Sequence, residues 1–579
     1  MKVSRRILRL SVSVVLVAIL AVALATVGSA QKPEKLAVGR LGMVAAAHPL
    51  AAEAGLEMLK RGGNAVDAAV ATAFAVGVVE PQASGIGGEG MLIIYTARDD
   101  KAVAIDFKAQ VPKVTAEKLS EAKPPKLTGY ASVGIPGTVA GLALALEKYG
   151  TKSLSEVMQP AIRLAENGFP VPKALADLLV ERFDVISKNA ELAKVFLKDG
   201  LPLPEGAILR NPDYAASLHK IAQGGPDVFY KGEIADAIVA DMAANGGFIT
   251  KEDLAQYKAA IRFPVRSTYR GYTILTGPPP VTSVAVAEAL NVLENFDLAS
   301  WGNLSFQNMQ VITEAMRQVT VDRRTYVGDP DFHQVPIEGM LSKDYAKTIA
   351  QRISFDKMTP ADAIKPGDFN AKTGALLRSS LAATGTDGQA YESPSTTQIS
   401  VVDSQRNMVS LTYTLSSFFG AGVMVKGTGI ILNNQMGNVV GPPTAPTGPQ
   451  PYKRVVTTIS PTIVLKNGKP WLAIGTPGAS RIMQTLVTVL SNIIDHKMPL
   501  DKAIDAPRFF VGEGTSPAMD FEARVPADVV EKFKALGYKV KTYPDYDLYF
   551  GGVQAVMIDD SGNLIGAADP RRDGAAAGF

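Results

Sequence analysis

Two hydroxyls carry the first candidate chemistry. Thr396 and Thr414 flank the polar run Asp403-Ser404-Gln405-Arg406-Asn407, and the residues on either side read as strands, Thr397 to Val402 and Met408 to Leu415. With the turn centred on Gln405, the antiparallel register sets Thr396 opposite Thr414. Directly opposed residues point to the same face, with Cβ atoms about 5 Å apart. Paired threonines are also ordinary strand decoration, so the pair alone leaves a structural and a nucleophilic reading open.

Other side chains narrow the chemistry by elimination. The chain has no cysteine, which removes thiol nucleophiles, disulfides and cysteine-based zinc sites. Its four histidines, His48, His219, His333 and His496, are scattered, and none has a second histidine at the helical spacing a metal site favours. Asp329 precedes His333 closely, but Pro330 between them breaks a shared helix face. These histidines read as structural or surface side chains, and neither metal nor cofactor is expected. Gly85, Gly87 and Gly90 in Ser84-Gly85-Ile86-Gly87-Gly88-Glu89-Gly90 formally match a dinucleotide fingerprint. That motif leaves a strand and opens a helix, whereas this one leaves a helix and opens a strand, so it reads as a tight structural loop near a site.

The elements that must hold these residues follow from periodicity. Ala, Leu, Met and Val recur at helical spacing from His48 to Val79, interrupted at Gly62-Gly63, which predicts two helices joined by a turn and then a strand from Met91 to Thr96. The pattern is largely helical from Val157 to Leu298, with another helix over Trp301 to Tyr326. Gly, Ser, Thr and Ala dominate from Lys365 to Ser395, a connector. Further strands are expected at Gly429 to Leu432, Ser460 to Leu465 and Trp471 to Ile474, with helices at Ser480 to Ile494 and Ala527 to Leu536. Strands grouped with flanking helices imply sheets with helices on their faces.

Length and charge set the outer limits. With 579 residues, 47% hydrophobic and 20% charged, the chain can bury one large core or two modest ones. A net charge of +3 without like-charge runs in the body of the chain offers no nucleic-acid footprint and favours a small-molecule or peptide substrate. Lys2, Arg5, Arg6 and Arg9 precede an apolar stretch from Leu10 to about Thr26, and Gly28-Ser29-Ala30 supplies small residues for cleavage. Residues 1–30 therefore read as a signal peptide; no later stretch would span a bilayer, so an exported protein with no membrane segment after signal removal is expected.

Several segments together resemble the γ-glutamyltransferase family. Tyr391-Glu392-Ser393-Pro394-Ser395-Thr396-Thr397-Gln398 is similar to its processing site, and Leu432-Asn433-Asn434-Gln435-Met436, Gly475-Thr476-Pro477-Gly478-Ala479-Ser480-Arg481 and Ala506-Pro507-Arg508-Phe509 to its core. Gly62-Gly63-Asn64-Ala65-Val66-Asp67, Val79-Glu80-Pro81, Pro136-Gly137-Thr138 and Tyr269-Arg270-Gly271-Tyr272 extend the likeness upstream. The resemblance implies an α+β fold, a four-layer αββα sandwich of the N-terminal-nucleophile hydrolase type. It also implies self-cleavage between Ser395 and Thr396 into a large subunit, 31–395, and a small one, 396–579. Thr396 would be the nucleophile, Thr414 its orienting hydroxyl, and the N–H groups of Gly478 and Ala479 the oxyanion donors. An N-terminal α-amine titrates near ~8, so cleavage would create a nucleophile and its base together.

Lys108, Ser416, Gln435, Asn438, Thr457 and Thr458 fall on the family's substrate-binding positions, and several depart from its usual residues. Lys108 stands for an arginine that grips the substrate α-carboxylate, keeping the charge and losing the bidentate fork. Asn438 replaces an acidic residue for the α-amine, Ser416 an asparagine, Thr457-Thr458 a serine pair, Ala479 a glycine, and Gln398 a common histidine. The segment from Gly441 to Tyr452, short and proline-rich, sits where some members carry a longer lid; it reads as a plain connector or as an open site. The implied function is transfer or hydrolysis of γ-glutamyl amides such as glutathione, with water, an amino acid or a peptide as acceptor. The alternatives are a glutaryl-type or poly-γ-glutamate acylase of the same mechanism, or an unprocessed exported binding protein.

Overall fold

Two seven-stranded sheets, antiparallel throughout, form the centre of the molecule. In one the strands run Ala575–Gly578, Met43–Ala46, Thr397–Val402, Met408–Thr414, Glu89–Thr96, Lys101–Phe107 and Ala260–Arg262. In the other they run Leu36–Gly39, Leu564–Ala568, Gln554–Ile558, Lys469–Gly475, Thr462–Lys466, Tyr272–Thr276 and Val265–Tyr269. This computed structural model describes residues 34–121, 127–369 and 395–579. The expected signal segment 1–30 and residues 370–394 of the expected connector lie outside them. No helix among the described residues is long and apolar enough to cross a membrane.

Three apolar layers separate four structural ones. Ile399, Val401, Val409 and Leu411 face helices Pro49–Lys60 and Ala65–Val79. Val402, Met408, Ile93 and Tyr95 meet Ile463, Ala473 and Val556 between the sheets. Ile474, Leu472 and Val464 pack under Val284–Leu293, Phe306–Tyr326 and Arg481–Ile494. The order helix, sheet, sheet, helix is the αββα sandwich the resemblance implied. Strands buried on both faces must alternate between two cores rather than between core and water. That constraint confines charge within them to positions at or next to strand ends, such as Glu89, Lys101, Asp106 and Lys466.

The helix Ala65–Val79 shows how local signals fix an entry point. Asn64 accepts from the Val66 and Asp67 N–H groups while Asp67 returns to the Asn64 N–H, a reciprocal cap. All its residues are buried, and Tyr413 ties it to the central hairpin by donating to the Ala73 carbonyl at 2.6 Å.

That hairpin has the register expected from its turn: Thr397 pairs with Tyr413 and Val402 with Met408. Even-numbered residues face the second sheet. The interface therefore changes character along the strands, from Val402 and Met408 through Ser400 and Ser410 to Thr396 and Thr414. Ser400 Oγ donates to the Gln554 carbonyl and Ser410 Oγ to that of Ile474, both at 2.9 Å, pinning one sheet against the other. Gln398 completes this seam, donating to Ser400, Ser410 and the Ile399 carbonyl and accepting from Thr412. Its carboxamide fills the space at Gly475, where a Cβ would come within 2.1 Å of it.

Two expectations are corrected. The region 157–298 carries three strands of the central sheets, Ala260–Arg262, Val265–Tyr269 and Tyr272–Thr276, besides four two-residue strands between Phe169 and Leu209. Arg270 and Gly271 both have positive φ, the two-residue turn that closes a hairpin. The strand expected at Gly429 to Leu432 is an arm that pairs with itself: Val425 N–H donates to Ile430 and Leu432 N–H to Val423. Its ladder hydrogen bonds are satisfied there, so it joins no sheet.

Asp403 locks the hairpin turn. Oδ1 accepts from the Gln405 and Asn407 N–H groups, and Oδ2 from the Ala65 N–H and Asn407 Nδ2. Asp403→Ala removes the acceptor of these donors, the buried Ala65 N–H among them, and is expected to cost about 2–4 kcal/mol. A lowered thermal unfolding midpoint checks this, and an unchanged one contradicts it.

Candidate active site

Thr396 and Thr414 lie side by side where the central hairpin opens. Thr396 Oγ1 donates to Thr414 Oγ1 at 2.9 Å, and the Ser416 N–H donates to the same oxygen at 2.8 Å. Thr414 Oγ1 therefore accepts twice. The backbone is unusual at this junction. Thr396 has φ +94° and Ser416 φ +81°, a region costly for residues with a Cβ and especially for a β-branched one. Ser395, buried, donates its hydroxyl to the Ser416 carbonyl, which holds the junction 395–396 against the far strand.

The glycine-rich loop contributes closeness. A Cβ on Gly88 would meet the Thr414 carbonyl at 2.4 Å, so only glycine lets the loop lie against the second threonine. Asn433 clips the loop from the other side, donating to the Gly87 and Gly134 carbonyls. Asn434 in turn clamps Ser417 by paired hydrogen bonds of 3.0 and 2.9 Å.

Across the sheet interface, the strand Lys469–Gly475 runs into Thr476-Pro477-Gly478-Ala479 just ahead of helix Arg481–Ile494. Gly478 has φ +134° and Ala479 φ +51°, and neither amide N–H donates to any group among the described residues. Two free amides ahead of a helix N-terminus suit a developing negative charge. The Thr458 hydroxyl fixes this turn by donating to the Ala479 carbonyl at 2.8 Å.

The remaining expected residues form one chain of hydrogen bonds, joined by a residue the sequence reading did not single out. Lys108 Nζ donates to Thr457 Oγ1 at 2.6 Å and pairs with Glu89, both side chains fully buried. Glu89 also accepts from the Ala109 N–H at 2.7 Å and from Gln435 Nε2 at 2.6 Å. Gln435 Oε1 accepts from Asn438 Nδ2 at 2.8 Å. Burial pushes the Glu89 carboxyl up and the Lys108 ammonium down, each resisted by the other's charge. Lys108 thus already has an anionic partner. The signal was available: an acid inside a glycine run that opens an apolar strand must find a partner when buried.

Other candidates resolve into structural roles. His48 caps helix Pro49–Lys60 by accepting from the Leu50 N–H, and burial pushes its imidazole down to about 4. His219 sits on the surface against Glu166. The segment from Gly441 to Tyr452 is fastened by Lys453, whose Nζ donates to the Ala445 and Gly448 carbonyls.

Comparison with known proteins supplies the family. The family profile described as Gamma-glutamyltranspeptidase matches residues 51–579. The glutathione hydrolase proenzyme of Escherichia coli (strain K12) is 40% identical over 557 residues, covering 93% of this chain and 92% of that one. The acylase ACY 1 proenzyme of Pseudomonas sp. (strain SE83) is 37% identical over 554 residues, covering 93% and 94%. Among solved structures, the cephalosporin acylase from Bacillus halodurans superposes with TM-score 0.83 at 30% identity, over 94% of this chain and 97% of that one. The chain belongs to the γ-glutamyltranspeptidase family of N-terminal-nucleophile hydrolases. It is accordingly an enzyme, and the reading as a non-catalytic binding protein falls.

Glu80, behind the nucleophile strand, carries a pH dependence. It is buried, Arg572 lies 3.8 Å away, and desolvation raises its carboxyl from 4.5 to about 7. Between those values the folded state holds a proton that the unfolded state has lost, so stability falls as pH rises through this window, by about 3 kcal/mol. Glu80→Gln is expected to flatten that slope in denaturant titrations at pH 4.5 and 7.5; equal slopes in mutant and wild type would contradict the assignment.

Proposed function

We propose that the chain is an exported precursor that cuts itself between Ser395 and Thr396, giving subunits 31–395 and 396–579, and then transfers or hydrolyses γ-glutamyl groups. In the first step Thr396 Oγ attacks the Ser395 carbonyl carbon. The peptide C–N bond breaks, Thr396 keeps its nitrogen as a free α-amine, and Ser395 is held as an ester until water hydrolyses it to a carboxylate. The positive φ at Thr396 supports this reading, because breaking the bond releases the strain.

In turnover the α-amine accepts the Thr396 hydroxyl proton as Oγ attacks the γ-amide carbonyl of the donor. The amide N–H groups of Gly478 and Ala479 hold the oxyanion, where one such donor is typically worth about 10²- to 10³-fold in rate. The proton passes to the leaving amine, the C–N bond breaks, and a γ-glutamyl ester remains on Thr396. Water, or the amine of an amino acid or peptide, releases it. Thr414 positions the nucleophile, and Lys108, Ser416, Gln435, Asn438, Thr457 and Thr458 line the acyl side.

The observation that carries this reading is the 2.9 Å bond between the Thr396 and Thr414 hydroxyls at the strained junction. The uncharged Asn438 favours a second reading, an acylase with altered acyl preference. On γ-glutamyl-p-nitroanilide, Thr396→Ala is expected to abolish turnover. Thr414→Ala should lower kcat about 10²-fold or more with KM little changed, and Thr414→Ser should recover most of it. Steady-state kinetics decides, and an undiminished kcat in Thr414→Ala would refute its role.

A further inference from the structure

We propose that Glu89 sets the charge of the acyl-head pocket and thereby selects donors with a zwitterionic head over donors with a lone carboxylate. This rests on the proposed γ-glutamyl chemistry and assigns its specificity to a residue outside the expected set.

Strand register places Glu89 centrally. It pairs with Thr414 on one side, and the neighbouring pair Gly90 with Phe107 carries the same ladder on to Lys108 on the other. Opposed positions share a face, so Glu89 lies between the cation and the threonine that positions the nucleophile. Its carboxylate is held by three donors, Lys108, Gln435 and the Ala109 N–H. Such a carboxylate is a fixed counter-charge rather than a mobile surface acid.

The charge count follows. Lys108 brings +1 and Glu89 −1, while Gln435, Asn438, Thr457 and Ser416 bring none. The pair sums to zero whichever partner holds the proton. Asp106, nearby, is matched by Arg262 at 2.7 Å and Arg454 at 3.4 Å. Lys108 uses two of its three N–H donors, on Glu89 and Thr457, so one is left over that a carboxylate entering beside it could take.

Consider what each donor head would do there. A glutaryl head carries one negative charge into a buried pocket of net charge zero and leaves it uncompensated. A γ-glutamyl head carries an ammonium as well, with the Glu89 carboxylate and the Asn438 carbonyl oxygen as acceptors. Without Glu89 the pocket would hold +1 and match the lone carboxylate instead. Glu89 thus supplies the negative charge that Asn438 lacks.

The test uses the processed enzyme with γ-glutamyl-p-nitroanilide as substrate and L-glutamate or glutarate as competitive inhibitor. L-Glutamate is expected to bind the wild type at least about tenfold more tightly than glutarate. Glu89→Gln, which keeps an acceptor for the Ala109 N–H, should move that ratio toward glutarate by about tenfold or more, and adding Asn438→Asp should move it back. Where Glu89→Gln does not process, Glu89→Gly, continuous with the flanking glycines, takes its place. Tighter glutarate binding by the wild type, or a ratio unmoved by loss of the Glu89 charge, overturns the proposal. A wild type that leaves the anilide uncut refutes the γ-glutamyl function itself.

Discussion

The bond between Thr396 and Thr414 exists in only one register of one hairpin. Slipping either strand by a single residue would turn that strand's hydroxyl to the opposite face, into the helical layer and away from its partner. The register is pinned at three places. Asp403 holds the turn and the start of a buried helix, Ser400 and Ser410 hold the sheets against each other, and Gly88 lies against the Thr414 carbonyl. Apolar packing alone would tolerate small sliding of one sheet over the other. Hydrogen bonds to named carbonyls do not, and they align the end of the first sheet with the Gly478 turn that leaves the second.

The two halves of the site use different physics. In the proposed reading, the reacting side consists of hydroxyls and backbone amides, groups without net charge whose effect depends on position. The proposed acyl side is governed by the Lys108–Glu89 charge pair, whose effect depends on the sum of the charges. Differences from the family's usual residues fall mostly on the acyl side, at Lys108, Asn438 and Ser416. Catalysis and specificity can therefore vary separately in this scaffold: relatives named as glutathione hydrolases and as acylases share most of its length, and one solved acylase shares its fold.

Much of the central architecture was legible because it rests on local rules. The break at Gly62-Gly63, the hairpin turn at Asp403 to Asn407 and the helix from Ser480 to Ile494 each follow from short-range signals, and the threonine pair follows from the hairpin. The short strands near Tyr269 were missed because helices surround them and only their turn marks them. Gly429 to Leu432 looked like a strand because its apolar run, Ile430-Ile431-Leu432, does not reveal that its hydrogen bonds close on themselves. Glu89 escaped notice since its meaning lies in two neighbouring strands: the glycines around it announced a loop, and only the register brought Lys108 and Thr414 to its sides.

The account depends on the peptide bond before Thr396 being broken by the protein itself. Intact-mass measurement of the purified protein addresses that directly. Two chains are predicted, the smaller beginning at Thr396, and a single uncut chain in the Thr396→Ala variant. A small chain that begins at any other residue, or efficient cutting without the Thr396 hydroxyl, would contradict it.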